Sequence, residues 1–273
     1  MKPVLLSSEH YADHASAGFA YDFVEKNTFD DNEEEREKFY QSMWDEGGFR
    51  FWLATYKDML FDKKANDQAY AFWAKNTRAR ISDPRKRDIL APEVAVHAWG
   101  TKRPSLEQNF YEAMDRPEND VVDVKATPIE KVTETGIVTS DGQLREFDII
   151  ALATGFDSVT GGMKNMGLRD VNGILLSEKW KEGTFSYLGM TCNDFPNMFF
   201  LYGAQGPTAF SNGPSCVELQ GDWIVDAIAK LKKEGITYLN ATKEGEESWR
   251  KKVAEISEKT LFHTTDSWYM GAK

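Results

Sequence analysis

Cysteine is nearly missing from this chain of 273 residues: Cys192 and Cys216 are the only two, and they form no CxxC pair. That argues against a disulfide framework and against a structural zinc site, and each thiol reads as a small buried apolar residue. Histidine is scarce as well. His10, His14, His97 and His263 make no HExxH and no pair with a nearby acid at metal-ligand spacing. Ser215 lies outside any GxSxG, so a serine nucleophile on a sharp elbow is not supported. No apolar run approaches the ~20 residues that span a bilayer, and the apolar stretch near Met1 is too short for a secretory signal. No membrane partner and a cytoplasmic location are therefore expected. A surplus of positive charge is also lacking. The formal net charge of −11 disfavours nucleic acid, because nothing is left over to displace phosphate counterions. The short basic runs Arg78-Ala79-Arg80 and Arg85-Lys86-Arg87 read as solvated helix faces. Finally, no GxGxxG occurs anywhere in the chain.

What is present is apolar and aromatic: 41% hydrophobic residues, with 8 Trp and 17 Phe, enough for a packed core and too much for a disordered chain. From about Asp31 to Ala91 the pattern is helical. Asp30 and Asp31 are N-cap candidates ahead of the acidic turn Glu33-Glu34-Glu35, and Gly47-Gly48 is a stop. Phe51 to Leu60 predicts a second helix, Ala69 to Thr77 a third, and Asp83-Pro84 a cap with a proline at the first helical position. The aromatic stripes along these helices are core before they are a binding surface.

The texture changes near Val121. Val121–Val124, Ile129–Val132 and Gly136–Thr139 predict short strands, and Asp141-Gly142 a hairpin turn. The continuous apolar run from Phe147 to Ala153 predicts a buried strand, and Asn197 to Leu201 another. A helix is expected from about Ser215 to Glu234, closed by Gly235, and a last one through Trp249, Val253 and Ile256. Two segments, Ala153-Thr154-Gly155-Phe156-Asp157 and Tyr202 to Pro214, each follow an apolar run with a glycine-bearing loop. This is how α/β proteins bring backbone close to a ligand at the carboxyl end of a sheet.

Six stretches in this order resemble the class B flavoprotein monooxygenases, most closely the Baeyer–Villiger monooxygenases of the cyclohexanone and phenylacetone type. They are Gly18–Phe23, Gly100-Thr101-Lys102-Arg103-Pro104, Asn109–Glu112 with Asp115-Arg116-Pro117, Ala153–Asp157, Gly203–Pro214, and Ser267-Trp268-Tyr269-Met270-Gly271-Ala272. The resemblance runs over nearly the whole chain from about Gly18. It implies an oxidoreductase with FAD and NADP as cofactors and a small-molecule ketone as substrate, converted to an ester or lactone with NADPH and oxygen. It places Arg103 over the flavin as the catalytic cation, beside a deprotonated flavin peroxide. A guanidinium stays charged at any working pH, so it stabilises such an anion without readily protonating it. Lys102 is implied at the 2′-phosphate of NADP as a point charge. Thr154, Gly155, Phe156, Asp157, Gly203, Gln205, Gly206, Pro207 and Asn212 are implied to line the flavin, and Trp268 to contact NADP. Gly203-Ala204-Gln205-Gly206-Pro207 departs from the family's commoner Gly-Pro start.

The family carries two GxGxxG loops and an FxGxxxHxxxW-type linker. Both are missing here, since none of the four histidines has a glycine four residues before it. The expectation is an α/β fold: an incomplete flavoprotein of the kind with two dinucleotide-binding domains. Residues 1–95 would be an aromatic-rich helical subdomain, 96–150 the C-terminal part of an NADP-binding domain, and 151–273 that of an FAD-binding domain. A separate N-terminal half is the expected partner. Alone, the chain should hold flavin poorly, turn nothing over and expose apolar surface. Two other readings stand beside it: a non-redox remnant serving as a binding module or flavin-free enzyme, and a fragment of an N- or S-oxidising flavin monooxygenase.

Overall fold

A computed structural model describes residues 19, 21–206 and 211–270. Two compact units emerge. The first comprises the described residues within Met1–Ala69, His97–Ser105 and Asp157–Lys273, and the second is Tyr70–Val96 with Leu106–Phe156.

The first unit begins with a 3-10 turn, Thr28–Asp30, tied down where Asp58 accepts from both the backbone N–H and the hydroxyl of Thr28. Helix α1 (Glu33–Glu46) follows. Its N-cap is Asn32, which forms a reciprocal capping box with Glu35; Asp30 and Asp31, expected in that role, do other work. Asp31 accepts from the Tyr56 hydroxyl and the Lys26 ammonium. Gly47 ends α1 at φ +70°, as its position in the sequence implied. Helix α2 is a single turn, Arg50–Leu53, so the long second helix expected through Leu60 does not form. Trp52 is buried within that turn, and Tyr56 and Met59 on the irregular backbone after it, with Tyr40 buried among them. Tyr40 meets Phe51 at 5.4 Å and Tyr56 at 5.5 Å between ring centroids, both edge-on. Each such pair adds about 0.5–1.5 kcal/mol to plain burial. The aromatic-rich helical core expected from the sequence is thus present.

Helix α3 (Lys63–Arg78) starts where the Asp62 carboxylate accepts from Ala65 N–H, and it runs on into the second unit. There α4 (Pro84–Leu90) has the predicted Asp83 cap and Pro84 start, and α5 (Phe110–Met114) is short. Arg80 forks onto Glu107 and Glu112, and Asp115 accepts from Ser82 N–H, Ser82 Oγ and Asp83 N–H. Strands β1 (Ile129–Val132), β2 (Gly136–Thr139) and β3 (Leu144–Glu146) form an antiparallel meander in sequence order, turned at Gly142. No Cβ fits at Gly136, which lies against the backbone of Arg145.

The remainder belongs to the first unit: short helices α6 (Gly161–Asn165) and α7 (Leu176–Lys179), then α8 (Gly213–Glu234) and α9 (Lys243–Ser257). Leu176, Trp180, Cys192, Phe195 and Phe200 make a second apolar core. Burial pushes the Cys192 thiol up to about 12, which leaves it an inert packing group. Buried Glu246 accepts from Asn193 N–H at 2.6 Å and pairs with Lys179 at 3.4 Å, pinning this core to α9.

Three predicted strands are corrected. Residues 121–124, 147–153 and 197–201 run without a ladder. A strand exists only beside a neighbour that takes its N–H and C=O groups, and among the described residues no backbone hydrogen bond joins 148–153 to another segment. Ile149 and Leu152 are 86% and 83% exposed, so the run is apolar but not buried. Helix α8 also leaves Leu219 and Val225 exposed.

Native chain should therefore enhance the fluorescence of an apolar dye. Leu219→Glu combined with Val225→Glu should lower that signal severalfold while moving stability by no more than about 0.5 kcal/mol in urea. An unchanged dye signal would place the apolar surface elsewhere.

A second expectation concerns acid. Its three donors hold the Asp115 carboxyl down at about 2, with the Ser82 hydroxyl the largest cause. A depressed carboxyl contributes stability that is fully present above its unfolded value of about 3.9 and is lost as pH falls toward 2. Asp115→Asn should flatten the fall in urea midpoint between pH 5 and pH 2.5, and a variant as acid-sensitive as the parent would refute the linkage.

Candidate cofactor site

The Lys102-Arg103 turn is held from below by buried groups. Asn66, fully buried near the start of α3, accepts from Trp99 N–H at 2.6 Å and donates to Trp99 C=O and Met59 C=O, both at 2.9 Å. Trp52 Nε1 donates to Gly100 C=O at 3.1 Å. Gly100 sits at φ +76°, and a Cβ there would come within 2.7 Å of that indole nitrogen, so only glycine fits. Thr101, fully buried, donates its hydroxyl to Ala98 C=O at 2.6 Å. Beyond these anchors Lys102 and Arg103 emerge exposed. The Arg103 guanidinium lies 5.1 Å from the Phe49 ring centroid and 5.9 Å from that of Trp52, aromatic faces that bias where the cation rests.

The glycine loop is built by interlock. Gly189 at φ +67° lies against the backbone of Gly206, and Gly203 against Gly189 C=O and Phe200, with no room for a side chain at any of the three. Gln205 adopts φ +63°, costly for a residue with a Cβ. Its amide turns inward: the oxygen accepts from Ser186 N–H and Oγ, and the nitrogen donates to Thr184 C=O. Its carbonyl accepts from Trp249 Nε1 at 2.9 Å. Tyr202 N–H donates to Gln220, the buried residue of α8, and Asn212 caps that helix by accepting from Ser215 N–H. Pro207 lies outside the described residues.

Trp268 opens a 3-10 turn, Trp268–Met270, and is partly exposed; its ring is 4.1 Å from that of Tyr269. Burial raises the phenols of Tyr202 and Tyr269, and the Arg103 guanidinium opposes the rise at both. The cationic turn, the start of the glycine loop and the Trp268 segment therefore share one electrostatic neighbourhood. Ser267 is buried and its hydroxyl has no partner among the described residues.

Of the other residues implied by the sequence, Thr154, Gly155 and Phe156 lie in the second unit, all exposed. Gly155 is at φ +88° with nothing within 4 Å of where a Cβ would stand. Asp157 lies in the first unit, its carboxylate against Gly161. Sequence reasoning missed Asn66, Trp52, Thr265, Ser186 and Trp249 as site residues, because each supports a motif from a position distant in sequence.

Comparison with known proteins now bears on this arrangement. The chain is 42% identical over 272 residues to the cyclopentanone 1,2-monooxygenase of Comamonas sp., covering 100% of this chain and 49% of that protein. It is 38% identical over 240 residues to a Baeyer–Villiger monooxygenase of Pseudooceanicola batsensis, covering 88% and 43%. The crystal structure of OTEMO in complex with FAD and NADP superposes with a TM-score of 0.91 at 32% identity, over 96% of this chain and 49% of that one. This chain is a homologue of the Baeyer–Villiger monooxygenases. It spans about half the length of the curated relatives it matches. No family model matches it. Among the described residues of this Baeyer–Villiger homologue no helix is long and apolar enough to cross a membrane.

The turn's support should be measurable in isolation. Asn66→Ala removes three buried hydrogen bonds and leaves Trp99 unsatisfied, and should cost about 2–4 kcal/mol in urea unfolding. Gly100→Ala should cost about 1–3 kcal/mol from φ and overlap together. Near-neutral values for both would mean the turn is not anchored this way.

Proposed function

We propose that this chain is part of a Baeyer–Villiger-type flavin monooxygenase, working on a small ketone with NADPH and oxygen. On this reading it is the C-terminal part, with 96–150 in an NADP-binding domain, 151–273 in an FAD-binding domain, and 1–95 as the helical subdomain. The half that carries the GxGxxG loops comes from a separate polypeptide or segment. The single observation behind the reading is Arg103: a permanent cation delivered to the surface on a turn locked by Asn66, Trp52 and Thr101. Support for the family comes from the relatives, which carry monooxygenase names, and from a related structure that holds FAD and NADP.

The residues fit these cofactors at their reactive ends. Arg103 offers a charge that cannot be removed, and Ser267 a buried hydroxyl with no partner among the described residues. They do not supply a diphosphate cradle, since the chain has no GxGxxG. When bound, FAD reduced by NADPH supplies the activation of oxygen. Arg103 then holds developing negative charge at its Nη and Nε donors, and because it keeps its proton it does not quench that charge. Lys102 offers a point charge to the 2′-phosphate of NADP. Gly203 and Gly206 present close-packed backbone beside Gln205, and Asn212 stands at the start of α8. Thr154, Gly155, Phe156 and Asp157 line the flavin, and Trp268 contacts NADP.

Purified alone, the chain should show no visible flavin absorbance after gel filtration with FAD and no ketone-dependent NADPH oxidation. Co-expressed with the GxGxxG-bearing half of a homologue, it should come out yellow and form ester or lactone. In that complex Arg103→Ala should cut product formation about 10²-fold or more with flavin still bound. A yellow, active lone chain would overturn the split, and an active Arg103→Ala complex would overturn the assignment of the cation.

A further inference from the structure

We infer that Thr265 is a positioning residue whose hydroxyl latches the Trp268 segment to the Lys102-Arg103 turn, so that the two shift together. Thr101 Oγ1 and Thr265 Oγ1 are 2.7 Å apart, 164 residues apart in sequence, and both residues are buried. A hydroxyl has one proton, and Thr101 spends its own on Ala98 C=O at 2.6 Å. The direction follows: Thr265 donates and Thr101 accepts. The donor thus belongs to the C-terminal segment and the acceptor to the cationic turn.

The rest of that segment makes the latch stiff. Leu261 N–H donates to Leu60 C=O at 2.8 Å, fixing the start of a 3-10 turn, Leu261–Thr264. Inside it, Thr264 Oγ1 donates to Leu261 C=O at 2.6 Å and Thr265 N–H to Phe262 C=O at 3.0 Å. The piece is bracketed by Leu60 at one end and Thr101 at the other. Ser267-Trp268-Tyr269 projects directly from it, and the Phe262 and Tyr269 rings meet edge-on at 5.7 Å. On the other side of the latch, Lys102 and Arg103 follow Thr101 immediately. Displacing either end must move the other or break a buried hydroxyl pair.

The consequence rests on the reading of Arg103 and Trp268 as cofactor-contacting residues: a ligand that repositions one then biases the other, and reciprocally. The latch itself is testable without any cofactor. In the full 273-residue chain, Thr265→Val keeps the shape and removes the donor. Hydrogen exchange should accelerate about tenfold or more in both 97–105 and 261–270, with 129–139 and 243–257 unchanged. Thr265→Ser, which keeps the hydroxyl, should restore the parent rates in both. Acceleration confined to 261–270, or a serine variant that behaves like valine, would overturn the latch. If Thr265→Val does not fold, Thr101→Val in chain labelled with 5-fluorotryptophan gives the same answer from the other side. The ¹⁹F resonance of Trp268, assigned by its loss in Trp268→Phe, should shift or broaden, and an unmoved resonance would refute the coupling. Neither readout uses flavin or NADP, so failure here is distinct from failure of the proposed function.

Discussion

The site depends on one buried carboxamide. Asn66 satisfies both the N–H and the C=O of Trp99 and also takes Met59 C=O, pairing with a loop as a strand would. An irregular turn cannot be buried at its base unless its backbone groups find partners, since each unsatisfied group costs about 1–3 kcal/mol. With Asn66 in place, Trp99 and Gly100 can lie inside while Lys102 and Arg103 lie outside. The cation is then on a surface without being on a floppy loop, the condition for an electrostatic group to act without reorganising. Trp52 adds a second tie and, through its ring, a surface for the guanidinium.

The glycine loop solves the same problem differently. Around Arg103 the backbone is satisfied by side chains; around Gly203 and Gly206 it is satisfied by backbone at a separation no Cβ would allow. Gln205 is the cost of that closeness, a non-glycine residue in a left-handed conformation worth about 1–3 kcal/mol of strain. Three hydrogen bonds from its amide and one to its carbonyl from Trp249 offset it. The amide also sorts the residue's role: a side chain engaged three times by its neighbours is scaffold.

Local signals in the sequence hold where local chemistry decides the outcome. Gly47, Gly235, the Asp83-Pro84 start and the Asp141-Gly142 turn all depend on neighbours within a few residues, and all appear in the structure. The first cap was misplaced by one residue because Asp31, Asn32 and their neighbours have equal capping chemistry; tertiary partners, Tyr56 and Lys26, chose between them. The strands failed for a different reason. Apolar β-branched runs state a preference, but a ladder needs a second strand, and 147–153 has none among the described residues. At the site, the exposed Lys102-Arg103 pair was visible by resemblance, whereas the residues that hold it were not. Asn66 and Thr265 are ordinary residues whose importance lies in partners tens to hundreds of positions away.

The failed strands bear on function more than the successful caps do. A run at 147–153 with six apolar residues that stays 86% exposed at Ile149 and 83% at Leu152 contradicts the ordinary logic of burial, under which such residues leave water at roughly 25 cal/mol per Å². Helix α8 repeats the pattern at Leu219 and Val225. A chain selected to stand alone would blunt such faces with charge, as its other helices do with pairs such as Lys38–Glu34 and Lys63–Asp67. The proposal of an absent half accounts for both faces at once: it supplies strands to pair with and surface to cover, and the relatives are about twice as long as the span they share with this chain. The same half would bring the diphosphate donors that this chain lacks. On the proposed reading, the surface that would shield the apolar run belongs to the same half that would grip the cofactor.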